Sequence, residues 1–179
     1  MAALLLPGLA LAAEKPPLTP DKEGVWHQAT RFNETTTFSC PDRQPRTPRC
    51  AIELVFVCHA RPTDELCLRV SPFYRKDPSP GWWQETDPKL LYRYRIHKVR
   101  FVTQEDIDRD NCNPVRCTQA DGPMELTDLL VTVFDLQCRK GVCPRGHPVR
   151  RATTIGIRLR QIDGMWQWLG WSQRFFPLE

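Results

Sequence analysis

Apolar residues in this chain fall in short runs, alternating or continuous, separated by Pro, Gly, Asn and Asp. That is the pattern of strands joined by turns. The clearest case is at the C-terminus, where Ile155, Ile157 and Leu159 alternate with Gly156, Arg158 and Arg160 before Asp163-Gly164 leads into Met165–Trp171. An Asp-Gly loop favours a type I′ hairpin, because glycine takes positive φ without a Cβ clash. The loop predicts Ile162 opposite Met165, Gln161 opposite Trp166 and Leu159 opposite Trp168. One face is then Ile155, Ile157, Leu159, Trp166 and Trp168, with Arg158, Arg160 and Gln167 on the other.

Three further segments read as strands. Ile52–Cys58 is apolar on both faces and, with Leu66, Leu68 and Val70 after a polar loop, suggests a second hairpin. Leu91–Val102 changes phase from Tyr92, Tyr94 and Ile96 to Val99 and Phe101, which predicts a bulge near His97-Lys98. Leu129–Leu136 is apolar on both faces. No stretch shows sustained helical spacing with caps. The expected fold is an all-β, antiparallel sandwich or barrel, with room for one short helix near Asp21–Thr30.

The cysteines change what holds such a fold together. All eight, Cys40, Cys50, Cys58, Cys67, Cys112, Cys117, Cys138 and Cys143, follow an apolar start ending in Ala10-Leu11-Ala12. Residues 1–12 resemble a signal peptide without its basic n-region, residues 13–22 a Pro-rich and poorly ordered lead-in, and residues 23–179 a single β-rich domain. An even cysteine count behind an export-like leader points to disulfides in the periplasm or extracellular space. Close spacing suggests four local bridges, although on the order of 100 connectivities are formally open. Zinc is the competing use, but the four-residue separations of Cys112-Cys117 and Cys138-Cys143 sit at the edge of ligand spacing. No run is apolar and long enough for a membrane helix once the leader is removed.

Charge supplies the candidate sites. The run Leu136–Ile162 holds Arg139, Lys140, Arg145, Arg150, Arg151, Arg158 and Arg160 and no acid. A disulfide-tied loop of cations suits an acidic protein, a glycan or an anionic surface; the alternative is a solvated face balancing the acidic stretch Glu105–Asp110. In that stretch Asp106, Asp108 and Asp110 match the first ligand positions of a calcium loop, but Cys117 stands where the bidentate Glu belongs. Trp82-Trp83, after Pro78-Ser79-Pro80-Gly81, cannot both enter one core from a strand, so one is free to anchor an interface or to cover a sheet edge. The net charge of +4 is too mild to imply nucleic acid.

Catalytic motifs are missing: there is no Gly-x-Ser-x-Gly, no His-Glu-x-x-His and no phosphate-cradling glycine loop. No cofactor is expected. Asn33-Glu34-Thr35 is a formal glycosylation sequon, meaningful only in a eukaryotic secretory pathway. Gly24-Val25-Trp26 followed by Arg31-Phe32 is similar to the opening strand of lipocalins, a resemblance confined to residues 24–32. It implies a barrel carrying a small apolar ligand, here in a cavity lined from the Trp166/Trp168 face. The function expected is non-catalytic binding through Arg139, Lys140, Arg145, Arg150 and Arg151 together with Trp82 and Trp83. A carrier is the alternative, and a hydrolase using Glu105 and Asp106 a more distant one.

Overall fold

The computed structural model describes residues 14–30, 40, 42–60, 67–71, 91–110, 122–138, 140, 142, 143, 145, 146 and 148–172. The leader, Asn33, Trp82, Trp83, Arg139 and the Cys112/Cys117 pair lie outside them. In chain order the elements are β1 (His27–Thr30), α1 (Pro48–Ala60), α2 (Cys67–Val70), β2 (Leu91–Phe101), α3 (Gln104–Asp110), β3 (Leu129–Cys138), α4 (Pro148–Arg151), β4 (Thr153–Ile162) and β5 (Met165–Ser172). The strands form one antiparallel sheet in sequence order, curled into a half-barrel.

The C-terminal hairpin has the expected register, with Ile162 opposite Met165, Gln161 opposite Trp166 and Leu159 opposite Trp168. Asp163 and Gly164 both take positive φ, 51° and 76°, as a type I′ turn requires. The bulge in β2 also stands where the phase change put it, between Ile96 and Lys98. Ile96 and Val99 therefore both face the core, and His97 and Lys98 both point away from it.

Two expectations are corrected. Ile52–Cys58 is not a strand but the middle of α1, and Cys67–Val70, expected in its hairpin partner, is the short helix α2; Leu66 lies outside the described residues. A segment whose one polar residue is Glu53 shows no clear period, so it fits a helix buried all round as well as a strand buried on both faces. What decides is the start: Thr47 Oγ1 accepts from Cys50 N at 3.2 Å, Thr47 O accepts from Ala51 N at 3.0 Å, and Pro48 fills the first helical position. Asp21–Thr30, in contrast, is a turn leading into β1 and contains no helix.

Helix α1 fills the curl. Cys50 to Cys58 are all buried, and α1 contacts both edge strands, β1 and β5. Phe56 stacks on Tyr94 at 4.2 Å between ring centroids, while Leu54, Ile157, Leu159, Trp166 and Trp168 complete the same core. The lead-in is anchored rather than loose: Leu18 joins this core, and Asp21 is bonded to Ile96 through both its side chain and its backbone N–H.

Three of the expected disulfides are local pairs, as spacing suggested: Cys40–Cys50, Cys58–Cys67 and Cys138–Cys143, with Cα separations of 5.2, 5.3 and 4.3 Å. The first two tie the two ends of α1 to flanking chain. Loops this short contribute roughly 2–3 kcal/mol each in the chain-entropy picture.

Candidate functional site

The basic loop starts where β3 ends. Cys138 closes back on Cys143, and within that ring Lys140 takes positive φ, 53°, with its side chain exposed. Val142, an apolar residue next to Cys143, is 70 % exposed. Gly146 turns the chain with φ of 106°, a conformation side chains resist, and α4 follows, packed on β3. Arg150 and Arg151 close α4 and, with Arg145, are exposed. A loop pinned at Cys138–Cys143 and again by α4 presents its cations from a fixed base.

Elsewhere arginines face carboxylates. Arg46 pairs with Asp42 and Arg49 with Asp21, each at 2.9 Å. Arg100 grips Asp106 through both terminal nitrogens, and Arg109 pairs with Glu105. Arg160 bonds both Asp128 oxygens, at 2.6 and 2.8 Å, and Glu125 at 2.6 Å. Arg158 lies 3.9 Å from Asp128. So Arg158 and Arg160, part of the acid-free run, have counter-ions from the 122–128 segment. Arg145, Arg150 and Arg151 make no ion pair among the described residues.

In the acidic stretch Glu105, Asp106 and Asp108 bond to Arg109, Arg100 and Gln104, close by in sequence. The stretch forms α3, capped by Thr103: Thr103 Oγ1 accepts from Asp106 N at 3.3 Å, and Asp106 accepts from Thr103 N and Oγ1 at 2.8 Å. The Arg100 guanidinium beside it holds the Asp106 carboxyl well below the usual carboxylate range, against the effect of burial. Asp108 accepts from Gln104 at 2.9 Å. Asp106, Asp108 and Asp110 thus sit on a helix, where residues two apart diverge, rather than on the extended loop a calcium site needs. Among the described residues no group of three His, Cys, Asp or Glu side chains converges as metal ligands.

No protein-family model, curated protein or solved structure matches this chain.

Two groups escaped the sequence reading. Asp135, on β3, lies opposite Tyr94 and Thr153 on the face that carries the core. Burial pushes its carboxyl up to about 7, against a backbone hydrogen bond from Leu136, and Oδ1 makes no hydrogen bond. It interrupts an apolar run, which was its signal. The second group lies on the outer face of β2. Arg93 sits over Trp26, 5.6 Å from the ring centroid, and Arg95 over Phe134 at 4.9 Å. His97 packs on the same Phe134, with 4.6 Å between centroids. Burial pushes its imidazole pKa down, and the charges of Arg95 and Lys98 push it further. Cation–aromatic contacts contribute about 0.5–1 kcal/mol at exposed sites and about 2 kcal/mol where the cation is desolvated. The signal was alternation itself: if Tyr92, Tyr94 and Ile96 face inward, Arg93 and Arg95 must face outward.

Proposed function

We propose that this chain is a non-catalytic binding protein of an oxidising compartment, periplasmic or extracellular, that engages an anionic protein, glycan or surface through its disulfide-tied basic loop. The contrast among the more exposed arginines carries the reading: Arg46, Arg49, Arg100, Arg109 and Arg160 have counter-ions within the fold, while Arg145, Arg150 and Arg151 stand exposed on a pinned loop with none among the described residues. Lys140 extends the same surface, and Arg139 is its neighbour in sequence. Trp82 and Trp83 remain the proposed aromatic anchors. The pairs Cys40–Cys50, Cys58–Cys67 and Cys138–Cys143 suit an oxidising environment. Among the described residues no helix is long and apolar enough to cross a membrane. The carrier alternative gains no support, because Trp166 and Trp168 are buried in the core that α1 completes.

Reversing both Arg150 and Arg151 to Glu is expected to lower the salt concentration at which the protein elutes from a sulfonated matrix, with an unchanged melting curve. Retention equal to that of the parent at every salt concentration would remove the loop as the binding surface.

A further inference from the structure

Along the outer face of β2 and β3, four polar atoms are buried and make no hydrogen bond: Arg93 Nε, Arg95 Nε and Nη1, and Thr132 Oγ1. They form one strip, since Arg95 lies opposite Phe134, two residues along β3 from Thr132, and Thr132 lies opposite Lys98. Every one of these atoms can donate a hydrogen bond, and the three guanidinium nitrogens can do nothing else. Trp26 and Phe134 hold the guanidinium carbons but accept none of these N–H bonds.

Arg95 is the decisive residue. It is 7 % exposed, and no carboxylate pairs with it among the described residues. A charge taken out of water without an anion is strongly disfavoured. The nearest acid on β3, Asp135, faces the other side of the sheet. Asp21, Asp106 and Asp128 are bound to Arg49, Arg100 and Arg160. The missing partner is an acceptor with negative charge.

We propose that the outer face of β2 and β3 is a binding site for a small oxyanion group, a carboxylate or a phosphate, held by Arg93, Arg95 and Thr132. Strand spacing puts Arg93 and Arg95 about 6.6 Å apart along β2, close enough for two guanidinium forks to share one such group. Gly156, opposite Thr132 on β4, places no side chain over the strip. The bulge turns two consecutive residues, His97 and Lys98, to this face, where both are exposed at the rim. Burial lowers the His97 pKa, and the nearby charges of Arg95 and Lys98 lower it further. Burial of Arg95 favours a single compact group over an extended polyanion, so this site is separate from the exposed loop and does not depend on it.

The test is thermal unfolding of the full chain at constant ionic strength, with chloride replaced stepwise by phosphate in one series and acetate in another. A saturable rise in Tm is expected in at least one series, which also identifies the headgroup. Arg95→Lys keeps the charge and loses the fork, and should weaken the apparent affinity tenfold or more. Arg109→Gln, which removes an exposed cation on α3, should leave it unchanged. If the Arg95 variant does not fold, Arg93→Gln, at the half-buried member, is read the same way. No saturable rise with either anion, or a variant that titrates like the parent, overturns the proposal.

Discussion

Asp128→Ala should cost this fold about 3–5 kcal/mol, the range for removing one partner of a buried ion pair. The Asp128 side chain is fully buried, takes two hydrogen bonds from Arg160, and accepts from Glu125 N at 3.1 Å. Its removal leaves Arg160, 17 % exposed at the side chain, and Arg158, 5 % exposed, short of their shared carboxylate. Arg160 keeps the more exposed Glu125 carboxylate and Pro123 O, while Arg158 keeps the backbone acceptor Gly122 O and loses its nearest carboxylate. The Asp128 backbone carbonyl also accepts from Val102 N at 2.9 Å, so loosening this turn frees the end of β2. Urea titration of the parent and Asp128→Ala checks the figure. A loss under about 1 kcal/mol would mean that the pair is worth no more than an exposed one.

The second large effect depends on pH. Asp135 is raised in the fold from 3.8 to about 7, so between those values the folded state binds more protons at this site than the unfolded state. Stability must then fall as pH rises through that interval, and level off above it. At about 1.4 kcal/mol per tenfold change in proton affinity, the loss reaches a few kcal/mol. Asp135→Asn, which resembles the protonated acid, should come level with the parent only below about pH 4, exceed it by a growing margin as pH rises to about 7, and keep that margin at pH 8. Asp21 works at the other end. Burial raises its pKa, but bonds from His27, Ile96 N and Arg49 outweigh that and lower it, so its contribution disappears only as pH falls below the ordinary carboxylate range. Parallel pH profiles for the parent and Asp135→Asn would remove the carboxyl from the account.

Much of the sheet was legible because its cues are local. Asp163-Gly164 sets the hairpin register by backbone sterics alone, and the phase change after Ile96 marks the bulge by counting twos. Helix α1 was not, since Ala51 to Cys58 offers no polar stripe to reveal its period, and only Thr47-Pro48 announces the start. The candidate loop was visible as a run of cations, yet composition could not separate Arg158 and Arg160, which turn toward Asp128 and Glu125, from Arg150 and Arg151, which do not. The calcium-like spacing assumes an extended loop, whereas the Thr103–Asp106 capping box makes a helix there. The outer stripe of Arg93 and Arg95 was implied by alternation, but its missing hydrogen bonds are a fact of three dimensions.

Local sulfur bridges clasp both ends of α1 and the base of the basic loop. Peptide mapping of the unreduced protein after thiol alkylation under denaturing conditions tests this directly. It should recover Cys40 joined to Cys50, Cys58 to Cys67 and Cys138 to Cys143, with almost no alkylated cysteine. Four or more alkylated cysteines, or bridges between these pairs instead of within them, would contradict it.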